Sequence, residues 1–189
     1  SLSGGYGTYG ARSVWHLDFY KQLEDDRYSA INASIDADSG LLTQFSAYDY
    51  DPGRKAAYPP KTGLEEAKRI ADGFLQLVNA DRASRLKYNE RFERDFIPPL
   101  TGEVYYEFLY ERVDNGIVYG GDYASVTVSG DGKVVRYRFN WNDKVKFEPA
   151  SDLIGKEEAM KIFAESAELG LSYLIPYQSV DRRKPQIAY

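Results

Sequence analysis

Few residues in this chain carry reaction chemistry. It has no cysteine, and its one histidine is His16, in the run Val14-Trp15-His16-Leu17-Asp18-Phe19-Tyr20. Without cysteine there is no thiol nucleophile, disulfide framework, zinc ribbon or iron–sulfur site. A Ser-His-Asp triad would have to use His16, and no Gly-x-Ser-x-Gly elbow accompanies it. His16 is read as a strand histidine exposed on a sheet face. Asp36-x-Asp38-x-Gly40 resembles the front of a calcium loop, in which alternate carboxylates converge on the ion. The bidentate acid that closes such a loop is missing, because Ala47 stands there, and an Asp/Gly hairpin turn accounts for Asp36 and Asp38. Glu107 and Glu111 share a strand face, but coincidental pairs are expected among 29 acidic residues.

The aromatic content points elsewhere. With 17 Tyr, 9 Phe and 2 Trp, flat rings on an exposed sheet can stack on sugars or grip a peptide. The candidates are Tyr105, Tyr119, Tyr123 and Trp141. Tyrosine is also a strong strand former that packs across strands, and core packing is the leading reading for all four. Arg136 and Arg138 project from one strand face, read as solvated. Gly120-Gly121 reads as a loop or bulge. Nothing here assigns a catalytic residue, a cofactor or a resident metal.

The elements that must position these residues follow from hydrophobic period. Val14 to Gln22, Arg27 to Ile35 and Leu41 to Tyr50 are predicted strands joined by short polar turns, an antiparallel meander. After a proline-broken stretch, Thr62-Gly63-Leu64-Glu65 has the capping-box pattern. Behind it Leu64, Ala67, Ile70, Ala71, Phe74, Leu75 and Val78 form one apolar helical stripe. A short strand is predicted at Leu86 to Phe92. A second meander runs from Val104 to Val113, through the turn Asp114-Asn115-Gly116, to Tyr123–Val128 and Lys133–Asn142. In its last strand Val135, Tyr137, Phe139 and Trp141 alternate with Val134, Arg136, Arg138 and Asn140, the period of a half-buried strand. A second helix is predicted from Lys156 to Glu168, and Ser172 to Tyr189 as extended pieces.

The chain also repeats itself. Gly63-Leu64-Glu65-Glu66-Ala67-Lys68-Arg69-Ile70 matches Gly155-Lys156-Glu157-Glu158-Ala159-Met160-Lys161-Ile162 at an offset of 92. Val14 to Tyr20 lines up with Val104 to Tyr110. The predicted class is α+β, two tandem modules, each an antiparallel meander packed against one helix. The boundaries are a flexible lead-in at 1–13, a first partial module at 14–61, a second module at 62–150, and at 151–189 a helix and terminal strand that complete a module or begin the next.

Composition limits the partners. The chain has 189 residues, 43% apolar and 28% charged, enough to bury a core and unlike a disordered tail. No run of 18 apolar residues exists, so no membrane-spanning helix is expected. A net charge of −5 and a pI near 5.0 disfavour nucleic acid. The chain lacks an initiator Met, its single Met being Met160, and reads as a mature or excised piece.

The pattern Gly63-Leu64-Glu65-Glu66-Ala67, Tyr110 to Ile117 with its Asn115-Gly116 turn, Asp122 to Val128 and Gly132 to Tyr137 resembles the YcdB/YcdC repeat family. That family is similar to PepSY and thermolysin-propeptide modules. The resemblance is best over residues 62–143 and weaker over 14–50. Two departures stand out: Val118 replaces the usual proline, and the first meander lacks the Asn-Gly turn. The resemblance implies a secreted or cell-wall protein of Gram-positive bacteria, often with surface-layer anchoring modules elsewhere in the chain. It implies no catalytic residues. PepSY-like modules of peptidase precursors shield or inhibit the peptidase. The expectation is therefore a non-catalytic repeat module whose partner is a secreted peptidase or another surface protein. The alternative is a structural spacer, or a repeat that binds wall polysaccharide.

Overall fold

The structure is a computed structural model. It describes residues 2–9, 12–53, 58–90, 99, 102–149, 151, 153–166, 172–174 and 186–188. The chain divides into two units, Ser1–Phe147 and Glu148–Tyr189.

The first unit is built on one sheet. Its strands are β1 (Leu2–Tyr9), β2 (Arg12–Gln22), β3 (Tyr28–Asp36), β4 (Leu42–Tyr50), β5 (Leu86–Tyr88), β6 (Tyr105–Asp114), β7 (Ile117–Ser129) and β8 (Val134–Asn140). Their spatial order is β1-β2-β3-β4-β8-β7-β6-β5, with every adjacent pair antiparallel. The two meanders expected from sequence are present, and the class is α+β. They do not form two separate sheets: β4 pairs with β8 and joins them into one. Residues 1–13 were expected to be a flexible lead-in, yet Leu2–Tyr9 pairs with β2 along its whole length. Pairing of this kind is made by the backbone, so a Gly-rich segment with little side-chain pattern can join an exposed edge.

The helix α1 (Leu64–Ala83) lies on β6–β8. Its buried positions Ala67, Ala71, Leu75, Asn79 and Ala83 recur every four residues, one stripe down the cylinder. They meet Tyr106, Phe108 and Tyr110 of β6, Ala124, Val126 and Val128 of β7, and Tyr137 and Phe139 of β8 in one apolar cluster. Two alanines in the first half of the stripe, Ala67 and Ala71, let the helix approach a sheet that carries rings as large as Phe108 and Tyr137, both wholly buried. At Asn79 the backbone leaves helical values (φ −148°, ψ 47°), while its side-chain amide donates to the Tyr137 hydroxyl. A mid-helix Asn offers an alternative hydrogen bond and bends the chain where it uses it. Burial raises the Tyr137 pKa well above its ordinary value, and the Asn79 bond offsets part of that rise.

The capping box does not form. Gly63 is the N-cap and no side chain caps the helix. Thr62 is instead buried against the Ser129–Gly132 turn: its N–H donates to Gly130 O at 2.9 Å, and its carbonyl accepts from the Tyr106 hydroxyl at 2.8 Å. A Cβ on Gly132, where φ is +80°, would come within 2.9 Å of Thr62 Oγ1. Gly132→Ala is expected to lower stability by about 1–2 kcal/mol through this left-handed position alone. The midpoint of urea unfolding reads the change.

The hairpin at Asn115-Gly116 has φ of +51° and +78°, the two positive values of a type I′ turn. Between Glu111 and Arg112 the register jumps, because β7 carries three extra residues, Gly120, Gly121 and Asp122. The expected bulge is there. A second irregularity, between Thr127 and Val128, resets β8 so that Val134 joins the core cluster. This differs from the simple alternation read from sequence, in which Val135 took the core side.

The second unit contains α2 (Lys156–Ser166), β9 (Ser172–Leu174) and β10 (Gln186–Ala188), with β9 and β10 antiparallel. The helix matches its prediction to within two residues at its end. Residues 91–92, the end of the strand predicted at 86–92, lie outside the described residues.

Candidate functional site

Register assigns the faces. Residues directly opposite one another across antiparallel strands share a face, so Glu107, Thr127, Arg136 and Ser46 lie together on the side away from α1. Tyr105, Ser125 and Arg138 belong to the same side. This is a polar surface. Ser125 Oγ donates to Glu107 Oε1 at 2.8 Å, which holds that carboxylate in place. Neither the Arg136 nor the Arg138 side chain makes an ion pair or hydrogen bond among the described residues. Glu107 and Arg136 sit on either side of Thr127, two strand spacings or about 9.6 Å apart along the sheet.

The surface is indented where the two meanders join. β4 and β8 pair through only three residues, Gln44 with Arg138, Phe45 with Tyr137 and Ser46 with Arg136. Beyond Ser46 the strands part, and a groove of about 760 Å³ opens between them. Tyr48, Asp49, Tyr105, Glu107, Lys133 and Arg136 line it. Asp49 meets Lys133 across the opening at 3.4 Å, and Tyr105 donates to Glu103. At one end of β2–β4, Tyr28 packs against Tyr20, Tyr48 and Tyr50 at ring-centroid distances of 5.4, 5.8 and 5.0 Å. Tyr48 and Tyr50 are exposed. The groove therefore offers phenols, the carboxylates of Asp49 and Glu107, the Lys133 ammonium and the Arg136 guanidinium beside strand backbone.

The residues singled out from sequence scatter. Tyr105 is exposed at the groove. Tyr123 is half-buried on the groove side, opposite Glu111 and Asn140. Tyr119 packs edge-on to Phe147 at 5.3 Å, in the bulge. Trp141 is buried, stacked on Phe139 at 5.9 Å with the Arg112 guanidinium 4.5 Å from its ring. Its faces are occupied by the protein itself. Asp36 accepts from the Ser39 N–H and hydroxyl at 2.8 and 2.6 Å, an Asx turn in the β3–β4 hairpin, while Asp38 is exposed. The described residues contain no group of three or more His, Cys, Asp or Glu placed to hold a metal. His16 lies on the face away from α1, with Nδ1 3.1 Å from Ser34 Oγ. Glu107 and Glu111 are four residues apart on one strand, about 13 Å at strand rise. Ser125 donates to the Glu107 carboxylate and Asn89 to that of Glu111, at 2.8 and 2.7 Å.

Two arrangements were not legible in the sequence. One is the groove, which exists because of a pairing between residues some 90 positions apart. The other is a buried ion pair. The bulge swings Asp122 inward, where Arg112 Nη1 donates to Oδ2 at 2.7 Å and the Asn142 N–H donates to Oδ1 at 3.1 Å. Phe147 closes the other side of the guanidinium at 4.6 Å. Nearby, the Arg82 hydrogen bond at 2.8 Å holds the Asp143 carboxyl below its ordinary 3.8, against a smaller opposing effect of burial. A depressed acid stabilises the fold above its unfolded pKa and loses that contribution as pH falls through its folded pKa. Asp143→Asn is thus expected to leave stability less dependent on pH below about 4, which urea titrations at pH 3 and pH 6 would read.

No helix of the described residues is long and apolar enough to cross a membrane. No curated protein and no solved structure matches the chain significantly. A family model does: residues 5–141 match the YcdB, YcdC repeated domain in one stretch. The match runs from β1 through β8 to Trp141, taking in both meanders, α1 and the groove. The chain belongs to the family of the YcdB, YcdC repeated domain.

Proposed function

We propose that the chain is a non-catalytic interaction module, secreted or cell-wall-associated, whose groove between β4 and β8 receives an extended segment of a partner protein. The observation that carries the reading is the parting of β4 and β8 after three paired residues. Strand backbone lines the opening, and a peptide laid there can pair with it while its side chains meet Tyr48, Tyr105 and Arg136. A polar surface that carries a carboxylate and a guanidinium two strands apart suits a polypeptide, with donors and acceptors of its own, better than a flat apolar ligand. The partner we favour is a secreted peptidase, by analogy with the PepSY-like modules the family resembles. In this reading the two meanders are two repeats of one ancestral module that share a sheet.

Titrating the chain into a thermolysin-like extracellular peptidase tests this. Stoichiometric loss of peptidase activity with the chain intact is the expected result; unaffected activity through the micromolar range, or digestion of the chain, overturns the peptidase assignment.

The exposed tyrosines favour a second reading, a repeat that binds wall polysaccharide. Stacking on sugar rings needs flat accessible rings, which Tyr48 and Tyr50 supply. Under this reading, saturable binding to purified wall polymer is lost in the Tyr48→Ala/Tyr50→Ala double variant.

A further inference from the structure

The side of the sheet away from α1 is charged unevenly. Register sets Asp18, Asn32, Ser46, Arg136, Thr127 and Glu107 in one row across it. In the next row Arg138 stands between Gln44 and Ser125. Arg136 and Arg138 are both exposed, with Cα positions about 6.8 Å apart at strand rise.

The acids of the first row are already engaged. Asp18 accepts from Asn32 Nδ2 at 2.6 Å, and Glu107 from Ser125 Oγ at 2.8 Å. The two guanidiniums have no such partner among the described residues. The residues directly opposite them, Ser46, Thr127, Gln44 and Ser125, are all uncharged. A sheet gains stability by setting opposite charges across from one another. Here two like charges lie side by side, and neither is matched.

This positive spot runs against the sign of the whole chain, whose net charge is −5. A long polyanion would meet that net charge along most of its length, whereas a short acidic stretch meets only the two guanidiniums. The spacing fits a polypeptide. An extended peptide repeats its side chains on one face every about 6.8 Å, because it has the rise of β8 itself. Carboxylates at alternate positions of a peptide laid along β8 thus match Arg136 and Arg138 one to one, and each guanidinium can give its carboxylate two parallel hydrogen bonds. Arg136 lines the groove, and Arg138 lies two residues further along β8, where that strand pairs with β4.

We propose that Arg136 and Arg138 bind an extended acidic segment of the partner protein, with carboxylates at alternate positions. The inference rests on the groove reading and names the chemistry of the segment. The segment enters between β4 and β8, and its acidic part runs on over the paired residues of the two strands.

Fluorescence anisotropy on the full chain tests this with labelled octapeptides in which Thr alternates with Glu, Gln or Lys. At low salt the Glu peptide is expected to bind about tenfold more tightly than the Gln peptide, the sum of two exposed ion pairs. That advantage is expected to fade at about 1 M salt, where charges are screened within about 3 Å. Arg136→Gln/Arg138→Gln is expected to erase the preference. Arg136→Glu/Arg138→Glu is expected to reverse it in favour of the Lys peptide, a gain that misfolding cannot imitate. Equal affinity for the Glu and Gln peptides, with both protecting Ala47–Asp49 from amide exchange, overturns the proposal and leaves the groove reading standing. No binding by any of the three overturns the proposal, and the groove reading then stands or falls on the peptidase titration. Tighter binding of inorganic polyphosphate than of the Glu peptide overturns the assignment to a peptide.

Discussion

Asp122→Ala is expected to destabilise the first unit by about 3–5 kcal/mol, the cost of leaving a buried charge without its partner. Arg112 is 3% exposed and Asp122 1%, so neither can turn to water without moving the bulge. The carboxylate accepts from both Arg112 and the Asn142 N–H, and its loss strands two donors at once. Asp114 lies 4.0 Å from Arg112 but is already bonded to Arg85 at 2.9 Å, so it replaces little of the missing charge. Removing both charges should cost much less than removing one, because an apolar pair of similar volume has no charge to desolvate. Urea unfolding of Asp122→Ala beside Arg112→Met/Asp122→Leu reads the difference. A single variant within about 1 kcal/mol of wild type would mean that the guanidinium reaches solvent.

Phe108→Ala is the second large effect, with an expected loss of about 3–5 kcal/mol. Phe108 is wholly buried at the middle of β6, 6.1 Å between ring centroids from Tyr88 and directly opposite Val126. Deleting the ring removes its transfer free energy and leaves a cavity that two flanking strands and a helix cannot close. Leu77→Ala on α1 is the control. Leu77 is 82% exposed, and its truncation should stay within about 0.5 kcal/mol. Equal losses at the two positions would mean that α1 does not sit on this face.

Local pattern carried the sequence reading where local forces decide. The stripe of α1, the Asn115-Gly116 turn and the bulge at Gly120-Gly121 each follow from period or from backbone freedom within a few residues. The same reasoning failed where a distant partner decides. Thr62 looked like a cap because Glu65 follows it, but packing beneath Gly132 and the hydrogen bonds to Gly130 and Tyr106 claimed it instead. Aligning Val14–Tyr20 with Val104–Tyr110 sets His16 against Tyr106, yet His16 faces away from α1 and Tyr106 toward it. A slip of one residue reverses every side chain of a strand. Trp141 carried no local mark of the guanidinium that occupies it. The groove had no signature at all, since it depends on how many residues of β4 pair with β8.

The measurement nearest to the central claim is amide hydrogen exchange on the chain alone and with the peptidase bound. The groove account predicts new protection at Ala47–Asp49 and Lys133–Val135, the strand segments on either side of the opening, with little change on the α1 side. Protection confined to other surfaces, or none with the complex formed, would contradict it.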